Sequence, residues 1–341
     1  MNMWTGRPVT ITGGAGFIGS NLAKVLVRRG ARVRIADNLE RGRLENIVGI
    51  KDQVEFLPVD LRRPDAARDS LNGAEVVLHL AAQVGGIKVY LDKAGSVLNN
   101  NLLIDQNVFA AAVALKTPYI FYASSAHVYP RRLQQSPEAL PLREEDADPA
   151  DPVLTYGWGK RIGEITLLNL AAECPWMKVA IARIMGAYGY NQDIALETGS
   201  VIPVFCHRAI IWPRQAPFRI WGTGRETRSY VFIDDVVEGI LQSVVTIDSR
   251  KMVGPFNLAA EGRVTIRQIA EQIIGLSGKN IPIEFDEAAT TSIWGQAADC
   301  ALAAKLLNGW SARVSLRDGL ERTYRHIHQH IESFADANRS K

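Results

Sequence analysis

Gly13-Gly14-Ala15-Gly16-Phe17-Ile18-Gly19 lies between a strand and a helix, and that placement points to a dinucleotide-binding turn. The preceding residues 7–12 (Arg-Pro-Val-Thr-Ile-Thr) read as a short buried strand. An amphipathic helix follows from about Ser20 to Arg29, with Leu22, Val25 and Leu26 on its apolar side. A glycine pattern alone is weak; strand, glycine turn and helix in succession make it strong. Gly13 permits the tight turn, Gly16 lets the backbone approach a pyrophosphate, and Gly19 lets helix and strand pack closely. Phe17 and Ile18 complete the turn at the helix N-terminus, where unpaired N–H groups and the helix dipole favour an anion.

The spacing is G-x-x-G-x-x-G, which differs from the common G-x-G-x-x-G. A second strand, Ala31–Ala36, ends in Asp37, about 20 residues past the loop, where a carboxylate accepts hydrogen bonds from the adenosine ribose. It would repel a 2′-phosphate, so the expected cofactor is NAD. Asn38 belongs to the same expected cofactor set. Arg41 and Arg43 nearby keep NADP open as the minority reading, and Asp37 also suits a plain turn residue.

A second constellation lies further along: Ser124-Ser125-Ala126-His127-Val128-Tyr129-Pro130, then Tyr156-Gly157-Trp158-Gly159-Lys160. On a helix, Tyr156 and Lys160 share one face. An ammonium beside a phenol favours the phenolate, so Lys160 is expected to lower the Tyr156 pKa. A phenol tuned that way takes a proton from a sugar hydroxyl near neutral pH. By itself Y-x-x-x-K is common and describes many surface helices; Ser124-Ser125 alone suits a helix cap. The glycine turn upstream gives both a context.

Strand-like runs at 54–59, 74–80, 118–123 and 177–184 alternate with helical patterns at 94–115 and 157–172. That alternation predicts an α/β protein with a Rossmann-type, doubly wound parallel sheet. Ligands bind at the C-terminal strand ends of such sheets, where Ser124-Ser125 falls. Residues 130–152, rich in Pro, Glu, Asp and Ala, read as a long surface loop with little internal structure. Beyond 186 the pattern turns irregular, with short strands at 218–221, 255–258 and 281–285 and helices at 265–276 and 316–332. The expected division is a cofactor-binding domain over 1–185, to which some later segments return, and a smaller mixed α/β substrate lobe over 186–341.

These motifs resemble the extended short-chain dehydrogenase/reductase superfamily, in its nucleotide-sugar epimerase/dehydratase branch, over nearly the whole chain. Val59-Asp60-Leu61 looks like the branch's adenine-contacting turn, and Leu80-Ala81-Ala82 like the strand end that passes the cofactor. Asn101 falls where the family keeps a helix-stabilising Asn. Arg228, before Ser229-Tyr230, resembles the diphosphate-contacting Arg, and Asp234-Asp235-Val236 opens the next helix. Within the branch, Ala82-Gln83-Val84-Gly85-Gly86-Ile87, Phe121–Ser125, Tyr129-Pro130 and Thr227–Asp234 are most similar to the GDP-mannose 3,5-epimerases, with the GDP-fucose synthases next. The resemblance implies substrate contacts at Gly85, Gly86, Ser124, Ser125, Gly186, Ser200, Val201 and Arg228.

The departures bear on the reaction. Those two families place a Cys where this chain has His127, and a Lys or His where it has Ser200. The branch's usual Asn is Gly186, and its late Arg aligns near Trp294 to Gln296. The resemblance implies that Tyr156 takes the sugar 4-hydroxyl proton, Ser125 binds the same oxygen and Lys160 holds the nicotinamide ribose. A 4-keto sugar results. An imidazole, with an ordinary pKa of about 6.5, is suited to moving a carbon-bound proton. His127 therefore reads either as the acid/base at C3 or C5, or as a sugar contact in a plain 4-epimerase. A 4,6-dehydratase fits less well, because Ala126-His127 lacks a carboxylate; a non-catalytic NAD-binding protein is the remotest alternative. GDP as the carrier rests on the resemblance, and UDP and dTDP stay open.

The chain has 341 residues, 47% of them hydrophobic, enough for a substantial core. A net charge of +3 implies no strong nucleic-acid partner. Cys174, Cys206 and Cys300 show no metal-type spacing, so no metal site is expected and a reducing compartment suits them. No apolar run reaches membrane-spanning length. The chain enters a strand almost at once, with no room for a signal peptide, so cytoplasmic residence is expected. Helices 94–115 and 157–172 are apolar on more than one face, which fits either core or, preferentially, a four-helix homodimer interface.

Overall fold

The computed structural model describes residues 3–214, 217–289 and 293–339. Seven strands form one sheet: β1 (Pro8–Thr12), β2 (Arg32–Asp37), β3 (Val54–Pro58), β4 (Val76–His79), β5 (Tyr119–Ser125), β6 (Lys178–Ile184) and β7 (Met252–Leu258). Their order is β7-β6-β5-β4-β1-β2-β3, and every neighbouring pair is parallel. Helices cover both faces, so the central strands are buried on both sides; β4 and β5 have no exposed position. The order reverses between β1 and β4, which opens a crevice at their C-terminal ends.

The helix after the glycine turn spans Phe17–Arg28, three residues earlier than its apolar pattern suggests. Gly16 takes extended backbone and serves as its N-cap, so Gly19 falls within the first turn. A Cβ on Gly19 would sit 2.4 Å from the Gly13 carbonyl oxygen, and one on Gly13 (φ +68°) 2.9 Å from the Ala81 backbone. Glycine at both positions lets backbone meet backbone.

The run at 255–258, set among the irregular second half by sequence, is the end of β7. The helix Ile233–Ser249 packs on β5, β6 and β7 and extends the alternation of the first half. The insertion between β6 and that helix hides the continuity. The segment 130–152 also differs from expectation. It forms short 3-10 turns at Arg131–Leu133 and Glu144–Ala147 and buries Gln134, Leu142 and Ala147. The Leu142 carbonyl accepts from Asn257 Nδ2 (2.9 Å), and Leu142 packs with Tyr129, Met185 and Ala298. Two apolar side chains suffice to pin a segment whose composition looks solvated.

The smaller lobe packs helices Val201–Ile211, Ile266–Ser277 and Leu316–Arg339 against one another. Short strand pairs join it, including Phe218–Trp221 with Ile283–Asp286. Ile266–Ser277 has clear local signals: a Thr265/Gln268 capping box at one end and Gly278 (φ +66°) at the other. Among the described residues, no helix is long and apolar enough to cross a membrane.

Candidate active site

A cavity of about 1130 Å³ opens at the C-terminal ends of β1, β4 and β5, against the smaller lobe. Every residue singled out from the sequence as a site residue lines it, Ser124 by its backbone side. Gly13, Gly16, Phe17, Ile18 and Gly19 form one wall, with Asp37, Asn38, Asp60 and Leu61 beside them. Leu80, Ala81, Ala82, Gly85 and Gly86 follow, then Ser124, Ser125, His127, Tyr156 and Lys160. Gly186, Ser200, Val201 and Arg228 come from the far side.

In the first half of the cavity, the Thr12 hydroxyl accepts the backbone N–H groups of Leu80 (3.1 Å) and Ala81 (3.2 Å), which fixes the end of β4 against the glycine turn. Asp37 accepts from the Ala15 N–H (3.0 Å) and the Leu39 N–H (2.8 Å). Burial raises its pKa, and those two bonds oppose the rise. Each carboxylate oxygen keeps a lone pair for a ribose hydroxyl. Asp193, from the opposite wall, pairs with Arg41 at 3.0 Å and Arg43 at 3.7 Å. Their charge is engaged by that acid across the cavity, while the Asp37 carboxylate faces the ribose position. The glycine cradle and this acid fit NAD. Asn101 lies behind, holding the Gln83 N–H (2.6 Å) and carbonyl (3.1 Å).

The second half holds the reactive groups. Ser125 ends β5 and accepts from the His127 N–H (3.2 Å), with its hydroxyl acting on the Tyr156 phenol. Ser124 points elsewhere: its hydroxyl donates to the buried Glu164 at 2.6 Å. The Lys160 ammonium sits 4.5 Å from the Tyr122 ring centroid; burial lowers its pKa, opposed by Asp105 and Glu164. The expected depression of the Tyr156 phenol is not found. Burial holds it well above the ordinary range, with Tyr90 and Asp105 adding to the effect and the Ser125 hydrogen bond opposing. The reason is burial, whose cost for the charged phenol outweighs the neighbouring hydroxyl.

His127 is the distinctive group. Its Nδ1 is buried without a hydrogen-bond partner. Burial first, and the Arg228 charge second, push the imidazole pKa down to about 4. The ring meets Tyr156 edge-on at 5.7 Å. Arg228 donates to the carbonyls of Thr227 (2.7 Å) and Ile293 (2.9 Å), leaving its guanidinium along the cavity. Ser200 is the N-cap of Val201–Ile211 but makes no side-chain capping bond, so its hydroxyl and the helix N-terminus both serve the cavity. Gly186 (φ +59°) stands where the family has Asn because a Cβ there would lie 2.0 Å from the Ser229 carbonyl oxygen. Of the stretch aligned with the family's late Arg, Gln296 faces the cavity, held by Gln134 at 2.8 Å.

Two groups escaped the sequence reading. Tyr90, from the short helix Ile87–Asp92, stacks on Tyr156 at 4.9 Å and 22°. Its only sequence signal is proximity to Gly85-Gly86. His79 links Thr12 (2.7 Å) to Asp105 (3.0 Å), which also accepts from Tyr122 (2.5 Å), in a buried network beneath Lys160. Nothing in a four-residue buried strand distinguishes that histidine.

Residues 9–259 match the model of the NAD dependent epimerase/dehydratase family. The chain is similar to GDP-mannose 3,5-epimerase 1 of Oryza sativa subsp. japonica, 31% identical over 324 residues, covering 95% of this chain and 82% of that protein. It is also similar to UDP-glucuronic acid decarboxylase 1 of Arabidopsis thaliana, 29% identical over 317 residues, 92% of this chain and 68% of that one. Among solved structures, an epimerase from Methanothermobacter thermautotrophicus superposes with a TM-score of 0.84 at 26% identity, covering 98% of this chain and 96% of its own.

Proposed function

This chain belongs to the NAD-dependent epimerase/dehydratase family, with NAD as its cofactor, and from that premise we propose that it epimerises a nucleotide sugar at a carbon flanking a transient 4-ketone. The observation that carries this reading is His127, an imidazole lining the cavity with its ring edge-on to Tyr156 at 5.7 Å. Gly13, Gly16 and Gly19 would hold the cofactor's pyrophosphate, Asp37 its adenosine ribose and Lys160 its nicotinamide ribose. Held there, NAD would supply a reversible hydride acceptor for C4 and would not be consumed.

Tyr156 removes the proton of the sugar 4-hydroxyl, and Ser125 hydrogen-bonds the same oxygen. The resulting ketone acidifies the hydrogens at C3 and C5, because the carbanion delocalises onto the ketone oxygen. With its pKa pushed down to about 4, His127 is neutral at pH 7, the state in which an imidazole accepts a carbon-bound proton. A second reading, inversion at C4 itself, needs no such base; Ser200 in place of the families' second acid/base favours it. Dehydration lacks its carboxylate at Ala126-His127, and the convergence of Ser125, Tyr156 and Lys160 argues against a non-catalytic role.

The relative named for GDP-mannose supports GDP as the carrier. Gly186, Ser200 and Gln296 line the cavity where the related families carry other residues, and favour an unusual sugar. In this reading, residues 1–185 chiefly bind the cofactor and 186–341 chiefly the substrate. Residence in the cytoplasm is supported by three buried, unpaired cysteines. A homodimer is supported by Leu103, Trp158, Ile162 and Ile165, exposed large apolar side chains on the paired helices Ala94–Ala114 and Thr155–Glu173. Sedimentation should give twice the chain mass, and Ile165→Glu should shift it toward the monomer; a monomeric native protein contradicts the dimer.

The test of function is a panel of GDP-, UDP- and dTDP-sugars incubated with the enzyme in heavy water and read by NMR and mass spectrometry. A new epimer carrying carbon-bound deuterium is expected. An epimer without deuterium would replace this reading by simple C4 inversion.

A further inference from the structure

Lys160 is 2% exposed, and an ammonium taken out of water is held charged by an opposite charge nearby. Two acids lie within its reach: Asp105 on the helix Ala94–Ala114 and Glu164 on its own helix. The hydrogen bonds around these acids tell them apart.

Glu164 is committed elsewhere. It accepts twice from Arg183, at 2.8 Å each, and once from Arg161 at 2.9 Å, so guanidinium charge already meets its own. Asp105, also 2% exposed, accepts instead from two neutral groups.

The proton positions follow from Thr12. Its hydroxyl oxygen accepts the N–H groups of Leu80 and Ala81, which fills both lone pairs. Its one proton therefore goes to His79 Nδ1 at 2.7 Å. His79 is then the neutral tautomer with its hydrogen on Nε2, and donates to Asp105 Oδ1 at 3.0 Å. Burial lowers the pKa of that imidazole, in keeping with a neutral ring. Tyr122, held well above the ordinary phenol range by burial, keeps its proton and donates to Asp105 Oδ2 at 2.5 Å. Neither donor cancels the carboxylate charge. The cation beside it is Lys160, whose ammonium lies 4.5 Å from the centroid of the same Tyr122 ring.

We propose that Asp105 is the counter-ion of Lys160, a positioning residue that acts across Tyr122 to keep the ammonium charged for the nicotinamide ribose; the assignment rests on the cofactor role given to Lys160 above. The groups around Lys160 come from every element packed on it: His79 from β4, Tyr122 from β5, Asp105, then Tyr156 and Glu164 from its own helix, with Arg183 of β6 behind Glu164. Burial lowers the Lys160 pKa, and Asp105 leads the opposition to that fall. The same carboxylate also adds to what raises the Tyr156 phenol, behind burial and Tyr90. Its task is therefore to hold the cation, and not to activate the base.

Asp105→Asn keeps the size of the side chain and removes its charge. Labelling the full chain with ¹³C at lysine Cε lets NMR follow the Lys160 titration, its resonance identified by its loss in Lys160→Met. In Asp105→Asn the midpoint should fall by about one pH unit or more. NAD affinity, by calorimetry, should weaken about tenfold or more above the new midpoint and far less below it. An unchanged midpoint overturns the proposal. So does an equal loss of affinity at every pH, which a purely structural role would give. NAD bound by Lys160→Met as tightly as by the native chain overturns the cofactor role of Lys160 and the proposal with it, with Asp105 left untouched. If Asp105→Asn does not fold, Lys160→Met and the double variant decide. Lys160→Met strands the carboxylate, so the double variant should unfold at higher denaturant than Lys160→Met; a lower midpoint overturns the assignment.

Discussion

His127→Ala is expected to lower net epimerisation by about 10²–10⁴-fold while cofactor binding and 4-ketone formation persist. The imidazole contributes nothing to the glycine cradle; Ser125 accepts from its backbone N–H, which alanine retains. Only the proton transfer at carbon is removed. The measurement is deuterium exchange into the recovered sugar beside the appearance of the epimer. Exchange and inversion should vanish together, and a rate within a few-fold of native would demote His127 to a sugar contact.

The pH dependence has a definite sign. The base is lost when the imidazole is protonated, so the acid limb of the rate should lie near 4 and not near 6.5. The folded-state pKa is depressed, so the unfolded chain binds more protons between those values. His127 therefore favours the fold fully above about pH 6.5, and this contribution fades as pH falls toward 4. His79, buried and lowered in the same direction, adds to acid sensitivity. The rate limb and the unfolding midpoint should be measured separately, because only the first is abolished by replacing His127.

Glu164→Ala is expected to cost about 3–5 kcal/mol of stability. Its carboxylate is fully buried and accepts four hydrogen bonds: from Ser124 (2.6 Å), twice from Arg183 (2.8 Å each) and from Arg161 (2.9 Å). Arg183 is itself 2% exposed, so removing the acid strands a buried guanidinium. Replacing both partners, with Glu164→Leu and Arg183→Met, should recover much of the loss, since the large cost is the uncompensated charge. Denaturant unfolding of the three proteins gives the comparison; a loss below about 1 kcal/mol for the single variant contradicts it. The Ser124 hydroxyl is also released, one residue from Ser125, so activity should fall in the folded fraction.

The contrast between these two sites shows what a linear chain can reveal. His127 is legible because it lies two residues from Ser125, on the turn that ends a strand. Asp37 is legible because the distance from the glycine turn to the next strand end is set by one helix and one connection. Glu164 is not. It sits in a helix as any solvated acid does, and only the register that places Ser124 beside Arg183 makes it a buried charge. Tyr90 is hidden for a similar reason: it stacks on a side chain 66 positions away, from a helix of six residues with no pattern of its own.

The sequence by itself determined the cofactor turn, the parallel alternation up to β6 and a group of residues that line the cavity, Tyr90 not among them, because each depends on local periodicity and short spacings. Only the tertiary structure decided that Met252–Leu258 completes the sheet, that residues 130–152 are pinned, that Arg41 and Arg43 face Asp193, and that the Tyr156 phenol is raised instead of lowered. Those outcomes depend on which distant groups share a low-dielectric space, and burial, unlike periodicity, is a property of the folded chain as a whole.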